Sequence, residues 1–466
     1  MTALHTPSQA LAGLWHAAGG EPAALDAVAL TGAEPALPSS FAVGTAAQAS
    51  IAAAALAARE IGCLRGGPAQ QVMVDMHHAA VEFRSERYLR VNGEPPADPW
   101  DRIAGLYRCA DGWVRLHTNF PHHRDGMLQL LGCAYDKAAV AEALSHWQAE
   151  ALETAANEAG LCASALRRFE QWDAHPQARA VAALPVFDIE RIGDAPPQPL
   201  PSLPAGAPPL HGLRVLDLTR VIAGPVAART LAAHGAEVLL ITGPHLPTIA
   251  SLVPDTGRGK RAAQLDLRLP AERERLRGLV RQADVFLQGY RPGGLALLGF
   301  GAEALAALRP GLVVASLTAY GPAGPWAARH GYDSLVQAAT GFNLAEAEAA
   351  GAAEPKVLPA QALDHASGYL LALGIQAALL RRAVEGGSWH VRVSLAQTAR
   401  WLRGLGRVPG GWAAPEPAAE ALQGWMETSE SPFGRLQAVR HAGVLSVTPP
   451  RWQRPAVPLG THAPAW

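Results

Sequence analysis

The sequence is poor in cysteine and in charge, and it has no long apolar run. Its four cysteines in 466 residues are scattered and form no CxxC pair, a pattern that favours reduced thiols of a cytosolic protein over a disulfide framework. Charged residues make up 17% of the chain and the net charge is −1, so no basic field favours nucleic acid. No apolar stretch approaches the roughly 18 residues of a membrane span, and no basic segment precedes an apolar run at the N-terminus. We therefore expect a cytoplasmic protein with neither a membrane nor a nucleic-acid partner.

Histidine is more frequent, but its arrangement does not favour a metal site. His77 and His78 are neighbours, as are His122 and His123. Side chains of neighbouring residues on a strand point to opposite faces, which is a poor geometry for two ligands of one ion. We therefore expect no metal.

Proline and an alternation of strand and helix patterns organise the chain. Residues 196–210 contain the run PPQPLPSLPAGAPP, which cannot form a helix or a central strand. After it, short apolar runs typical of buried parallel strands alternate with helical stretches such as 271–283. The predicted strands are Arg214–Leu218, Glu237–Ile241, Asp284–Gln288 and Leu312–Leu317. This order predicts an α/β fold with a Rossmann-like, doubly wound parallel sheet. The lone Gly224 after the first strand is not a GxGxxG dinucleotide fingerprint.

Four motifs in this region are specific enough to compare with known families. They are VLDLTRVIAGPVAARTLAAHGAEVLLI (215–241), GRGKRAAQLDL (257–267), ADVFLQGYRPGGLALLGFG (283–301) and ALDHASGYLLALGIQAALLRR (362–382). In this order they resemble the family III CoA-transferases, which include formyl-CoA and carnitine-type CoA-transferases and the related α-methylacyl-CoA racemases. The loop between Thr242 and Gly257 is shorter than is usual in that family.

The region before the proline-rich segment resembles other parts of the same family. PWDRIAGLYRCADGWVRLHT (99–118) looks like the family's small domain, and residues 50–83 parallel residues 374–402 as helix, double glycine and alternating strand. We interpret the chain as a rearranged tandem in which parts of two copies together supply one family fold. The predicted units are a partial N-terminal copy of the large domain's helix–strand unit (1–94), a small α+β domain (95–195), the linker (196–210), a Rossmann-like catalytic domain (211–405) and an extended C-terminal tail (406–466).

The repeat distinguishes two candidate positions for a nucleophile. In an ungapped alignment of the two copies, Asp364 falls on Ser40. The resemblance places the family's catalytic aspartate on Asp364 and implies that the N-terminal copy is silent. From the residues alone, an N-cap of a helix over Ala366–Arg382 is the simpler interpretation of Asp364. The two roles are compatible, because an ionised carboxylate is a nucleophile that needs no general base.

The resemblance also implies a reaction. The Asp364 carboxylate attacks an acyl-CoA, forms an anhydride and then an aspartyl-CoA thioester, and passes CoA to an acceptor carboxylic acid. Acyl-CoA and the acid are then substrates, and no cofactor is tightly bound. The positions in motifs that line the family's CoA cleft are Arg220, Ala223, Arg258, Lys260, Arg261 and Arg291.

Tyr332 and Asp333 form a second, supporting pair. Transferases of the family commonly carry a tyrosine and an acid here, whereas the racemases carry histidine followed by aspartate. His330 is two residues from the position in question, so the pattern favours a transferase over a racemase. A racemase and a non-catalytic acyl-CoA-binding paralogue are the alternatives, and the presence of Asp364 argues against the second. Family members usually dimerise, so we expect a homodimer.

Overall fold

The structure is a computed structural model that describes residues 3–466. The strands are β1 (Val28–Thr31), β2 (Val72–Asp75), β3 (Arg90–Val91), β4 (Gly105–Arg108), β5 (Trp113–Leu116), β6 (Ala163–Ala165), β7 (Asp188–Gly193), β8 (Arg214–Leu218), β9 (Glu237–Thr242), β10 (Lys260–Gln264), β11 (Val285–Gln288), β12 (Val313–Thr318), β13 (Ser388–Ser394), β14 (Met426–Ser431), β15 (Gly434–Val439) and β16 (Val444–Leu445).

The helices are α1 (Pro7–Ala17), α2 (Val43–Leu64), α3 (Met76–Glu82), α4 (Ser85–Tyr88), α5 (Pro121–Leu131), α6 (Lys137–Ser145), α7 (Ala149–Glu158), α8 (Phe169–Ala174), α9 (Pro176–Ala182), α10 (Ala223–Ala233), α11 (Val253–Thr256), α12 (Pro270–Val280), α13 (Ala302–Leu308), α14 (Asp333–Thr340), α15 (Phe342–Ala349), α16 (Ala362–Glu385), α17 (Leu395–Gly404) and α18 (Ala419–Gln423). Short 3₁₀ turns lie at Pro22–Ala27, Ala250–Leu252, Ala296–Leu298 and Gly411–Ala413. Within residues 3–466, no helix combines the length and the apolar character needed to cross a membrane.

Seven strands form the main sheet in the order β10-β9-β8-β11-β12-β13-β7. The first six are parallel, and β7 closes one edge antiparallel to β13. From β8 the chain moves outward to β9 and β10, then returns to place β11 on the other side of β8. Open parallel sheets bind ligands beyond the carboxyl ends of their strands at such a reversal. The predicted doubly wound α/β fold is confirmed.

Helices cover both faces of this sheet. Val215 and Val313 belong to the core that contains α10 and α16, whereas their neighbours Leu216 and Val314 belong to the core that contains α12 and α13. Successive strand residues face opposite sides of a sheet, so strands buried on both faces are apolar without interruption. This explains why the strands of the main sheet are visible in the sequence as short apolar runs.

Helix α16 runs through the centre of the larger core, between α2 and α10. A Cβ added at Gly368 would lie 2.6 Å from the carbonyl oxygen of Ala223 and 2.8 Å from Val226 Cβ, so a glycine is needed where α10 crosses. The helix ends at Glu385 and is followed by Gly386, whose φ of 72° is accessible to glycine without strain.

The two segments of the predicted repeat have the same order of elements. The first contains α2, β2 and α3, and the second contains α16, β13 and α17. Each strand lies parallel to a strand that precedes its helix: β2 to β1 and β13 to β12. The two long helices also pack together, and Gln376 Nε2 donates to the carbonyl oxygen of Ala54 at 3.0 Å. The tandem interpretation agrees with this order and stays a prediction.

The small unit is shorter than the predicted 95–195. Strands β4, β5 and β6 form an antiparallel sheet that packs on α5, α6 and α7 around a separate core. Beyond Ala165, however, the chain rejoins the main unit. Gln177 of α9 donates to the carbonyl oxygen of Tyr320 at 2.8 Å, and β7 bonds to β13, whose outer edge would otherwise be unpaired.

Residues 406–466 were predicted to be an extended tail, and the structure differs. Strands β14 and β15 form a hairpin that continues onto β3, while β16 pairs with β2. The turn of the hairpin is followed by Gly434, the first residue of β15, whose φ of 114° favours glycine. Further on, the indole nitrogen of Trp452 donates to the carbonyl oxygen of Arg229 at 3.0 Å. The C-terminal region therefore joins the N-terminal copy to the main unit.

Candidate active site

Two cavities meet at the N-terminus of α16. The larger has a volume of about 470 Å³ and lies beyond the carboxyl ends of β8, β9, β11 and β12. The smaller, of about 250 Å³, lies between this region and residues 86–119. The residues that line both cavities are Val221, Ile222, Tyr332 and Asp364. Asp364 is therefore accessible from both cavities.

Asp364 is the third residue of α16 and is 7% exposed. The helix starts at Ala362 with Gln361 as its N-cap, so the N-cap interpretation of Asp364 is wrong. Among the described residues, the Asp364 carboxylate has no hydrogen-bond donor, although its own backbone N–H is bonded. Its oxygens are thus buried, near the positive end of a helix, and free to contact a ligand.

Asp333 caps helix α16 in place of its N-cap residue, Gln361, whose side chain makes no capping hydrogen bond. It is the first residue of α14 and is 1% exposed. Its Oδ2 accepts from the backbone N–H groups of Leu363 at 2.8 Å and Asp364 at 2.9 Å, and Gln337 donates to Oδ1. Two otherwise unsatisfied N–H groups of the first turn are thereby bonded.

The two carboxyl groups influence each other's ionisation. Burial raises the pKa of Asp333 to about 6, although its hydrogen bonds act in the opposite direction. Burial also raises the pKa of Asp364 well above its usual range, and the carboxylates of Asp333 and Glu86 add to this rise. Neighbouring carboxylates resist being charged together. The Asp364 carboxyl group is therefore harder to ionise than that of an ordinary aspartate.

Tyr332 joins the small unit to this site. Its ring stacks on His117 with centroids 3.8 Å apart and planes 5° apart. Burial raises the pKa of Tyr332 well above its usual range, so the phenol is neutral. His330 lines the larger cavity together with Tyr332. These are the two residues whose positions distinguish the transferase alternative from the racemase alternative.

The N-terminal region supplies one wall of the site. Glu86, which lines the smaller cavity, has Oε2 3.1 Å from Nε2 of His365, the residue after Asp364. Ser40, the residue aligned with Asp364, lies outside both cavities. Its hydroxyl donates to Oε2 of Glu346 at 2.8 Å and its backbone N–H donates to the same atom at 3.1 Å. We retain the prediction that Ser40 is silent.

Three of the six predicted CoA-binding residues line the larger cavity: Arg220, Ala223 and Arg291. The guanidinium of Arg220 packs over the ring of Phe120 at 5.0 Å from its centroid. Arg291 is exposed on the loop after β11. In the described chain, neither arginine belongs to an ion pair, so both are available to an anionic ligand.

The other three predicted CoA-binding residues do not line the larger cavity. Arg258 is buried, with Nη2 2.7 Å from Oδ1 of Asp255 and its guanidinium 3.9 Å from the ring centroid of Trp452. Lys260 is buried with Nζ 2.8 Å from Oδ2 of Asp217. Each cation is held by a buried carboxylate, which occupies the hydrogen bonds that a phosphate would need. Arg261 lies near Glu237 at 3.9 Å on the outer strands.

Val221 is a feature of the site that the sequence did not reveal. Its φ is 71°, a conformation that a β-branched residue rarely adopts, and it lines both cavities. It lies in the turn between β8 and α10, where the first N–H groups of α10 have no acceptor within the helix. His122 and His123 were considered only as metal ligands, yet both line the larger cavity.

Comparison with known proteins identifies the family of this site. The family model for CoA-transferase family III matches residues 3–199 and 210–418. The chain belongs to CoA-transferase family III. The gap between its two matched segments lies within the proline-rich linker, and together the segments cover most of the sequence.

Named relatives agree with this membership. The chain is 30% identical to an acyl-CoA transferase of Gibberella moniliformis, over 70% of this chain and 64% of that protein. It is 35% identical to a probable fatty acyl-CoA transferase of Mycobacterium tuberculosis, over 46% of this chain and 59% of the relative. It is also 34% identical to a succinate–glutarate CoA-transferase of Agrobacterium fabrum, over 41% of this chain and 52% of the relative. The chain thus spans about half to two thirds of these relatives.

A solved structure shows a similar partial match. The crystal structure of Rv3272 from M. tuberculosis is 36% identical over 42% of this chain and 57% of that chain, with a TM-score of 0.39.

Proposed function

We propose that this chain transfers CoA from an acyl-CoA donor to a carboxylic acid acceptor, with Asp364 as the nucleophile. The observation that carries the proposal is the position of Asp364, a buried carboxylate without a hydrogen-bond donor that lines both cavities. Family membership supports CoA thioester chemistry.

The two cavities suit the two parts of an acyl-CoA. The larger has Arg220 and Arg291 for the phosphates of CoA and leads along the strand ends to Asp364. The smaller has Trp100, His117 and Asn119 around a volume that suits a short acyl group or acid. The thioester carbon would then lie where the cavities meet, next to Asp364.

In the proposed reaction, one Asp364 oxygen attacks the thioester carbon, the C–S bond breaks, and CoA leaves as a thiolate. The thiolate attacks the Asp364 carbonyl carbon of the resulting anhydride and releases the donor acid as a carboxylate. An acceptor carboxylate then attacks the aspartyl-CoA thioester, and the returning thiolate takes the acceptor's acyl carbon and frees Asp364. Each step passes through an oxyanion, for which the free N–H groups at the start of α10 are suitable donors.

Asp333 favours the reaction of Asp364 by destabilising its ionised form. Ionised Asp364 is buried beside a second carboxyl group and lacks hydrogen bonds of its own, so its charge is poorly stabilised. Conversion to a neutral anhydride or thioester removes that charge from the pair. The covalent intermediates are favoured relative to the free carboxylate, which is a form of differential stabilisation.

The test is exchange of CoA between isotopically labelled acetyl-CoA and a panel of carboxylic acids, followed by mass spectrometry. Hydroxylamine added during turnover should modify the peptide that contains Asp364 and leave the peptide that contains Ser40 unmodified. Asp364→Asn should abolish both exchange and labelling while retaining binding of CoA. Full exchange in Asp364→Asn, with deamidation excluded by mass, would contradict the proposal. Deuterium incorporation at C2 of a 2-methylacyl-CoA without CoA exchange would instead indicate a racemase.

A further inference from the structure

Three sulfur and nitrogen ligands converge beside the larger cavity, outside the proposed reaction. They are His123 in the first turn of α5, Cys162 just before β6 and His330 in the loop before α14. One ligand atom of each lies within 4.8 Å of the others. Nε2 of His123 and Sγ of Cys162 are 3.7 Å apart. From these distances we infer that His123, Cys162 and His330 form a binding site for Zn²⁺ or a divalent ion of similar preference.

One of the three ligand separations already matches a tetrahedral zinc centre, and the other two are at most 4.8 Å. Zn–S bonds of about 2.3 Å and Zn–N bonds of about 2.0 Å at tetrahedral angles place sulfur and nitrogen roughly 3.6 Å apart. The His123 to Cys162 separation is close to this value without any rearrangement. The thiol and imidazole donors are the ligand types that zinc prefers over the oxygen ligands of magnesium or calcium.

The environment leaves the His123 imidazole free to bind. Nδ1 of His123 is buried without a hydrogen-bond partner in the described chain, which leaves Cys162 as the polar neighbour of that ring. His122 is not a member of the cluster. The two adjacent histidines lie on helix α5 and not on the strand expected from the sequence.

The site has three protein ligands and an open side. His123 and His330 line the larger cavity together with Asp364, whereas Cys162 is buried behind them. A bound ion would therefore take its fourth ligand from the cavity, either a water molecule or a sulfur atom of a ligand that occupies it.

Binding must overcome nearby positive charge, because Arg220 and Arg291 line the same cavity as His123 and His330. The ion displaces the Cys162 thiol proton to solvent, so the site gains one positive charge and not two. Arg329, which also lines the larger cavity, is paired with Glu153 at 3.6 Å.

The experiment measures metal content and absorbance on the full chain. After removal of metal with a chelator and dialysis against Zn²⁺, the protein should retain about one zinc per chain through gel filtration. Co²⁺ should give the visible bands of tetrahedral cobalt and a near-ultraviolet thiolate charge-transfer band. Asp364→Asn should leave both signals unchanged, so failure of the proposed transferase reaction does not affect this test.

Substitution of the ligands decides the outcome. Cys162→Ser should abolish the charge-transfer band. His330→Gln changes a half-buried loop residue and should weaken zinc binding by at least about tenfold. A loss of this size is typical even of residues that only hydrogen-bond to a metal ligand. The control is Cys109→Ser, another buried thiol of the small unit that lies outside the cluster. Less than about 0.1 zinc per chain in the unmodified protein, or unchanged binding in His330→Gln, would overturn the inference and leave a thiol–imidazole contact only.

Discussion

Oδ2 of Asp333 accepts the backbone N–H of Asp364 at 2.9 Å, so the first residue of α14 positions the first turn of α16. The two residues are also joined electrostatically, because ionised Asp333 raises the pKa of Asp364. One side chain thus fixes both the position and the ionisation of the proposed nucleophile.

Asp333→Asn should shift the pH profile of CoA transfer. The carboxamide oxygen still accepts from α16, but the negative charge beside Asp364 is gone, so the pKa of Asp364 falls toward its ordinary value of about 3.9. The acid limb of kcat/KM for the acyl-CoA should move to lower pH, and activity at pH 5 relative to pH 8 should increase. Stopped assays from pH 4.5 to 8.5 measure this. An acid limb that stays in place would mean that Asp333 does not interact electrostatically with Asp364.

Asp364→Asn should stabilise the fold by an amount that depends on pH. Because the pKa of Asp364 is raised in the folded state, the native protein holds a proton that the unfolded chain has released, and stability is lost as pH rises above about 3.9. The neutral asparagine avoids this loss. The variant should unfold about 1–3 °C higher than the unmodified protein at pH 8, with little difference near pH 3.5. Asp194→Asn, at a fully exposed side chain, is the control and should change neither value. An equal gain at both pH values would point to packing and not to ionisation.

Gly368→Ala should destabilise the protein and impair the site. The new methyl group would lie 2.6 Å from the carbonyl oxygen of Ala223 and force α10 away from α16, at a cost of about 1–3 kcal/mol. The same displacement moves the turn that faces Asp364, so kcat/KM should fall by roughly tenfold or more. Denaturant unfolding and initial rates test this. Gly278→Ala in α12 is the matched control, since nothing lies within 4 Å of the added carbon and the change should stabilise by about 0.5–1 kcal/mol.

Arg220→Gln and Arg291→Gln should each raise KM for the acyl-CoA by about tenfold with little change in kcat, because each removes one charge-assisted contact. An acyl-pantetheine without phosphates should show no such difference between the variants and the unmodified protein. Arg258→Gln should instead lower the free energy of unfolding by about 3 kcal/mol, since it leaves Asp255 buried with one partner fewer. An increase in KM for Arg258→Gln in a stably folded sample would place that residue at the cleft after all.

Much of the main sheet could be predicted because its strands are apolar on both faces. Arg214–Leu218 begins and ends as expected, and the other three predicted strands agree to within a residue. Lys260–Gln264 was interpreted as a basic binding motif and is β10, an outer strand whose lysine and alanines are buried. The sequence pattern does not distinguish a cation that faces a phosphate from one that faces a buried carboxylate such as Asp217.

The residues of the site, too, could be predicted only in part. Asp364 and Tyr332 could be identified from motifs, and the cavities bring them together. The start of α16 at Ala362 could not be predicted, because its capping carboxylate, Asp333, is distant in sequence. His123, Cys162 and His330 are likewise far apart along the chain, and only tertiary packing brings them within reach of one another.

The pairing of β7 with β13 has a consequence for how the chain acquires its structure. Ile189 of β7 pairs with Val391 of β13, so β7 cannot pair until a strand roughly 200 residues further along the chain has been synthesised. The compact unit of β4, β5 and β6 has its own core and can form while translation continues. The first half of the chain, including the wall that carries Glu86, reaches its final place only after the C-terminal half has left the ribosome. Slowing the release of that half should therefore prolong the exposure of β7 to proteases and chaperones.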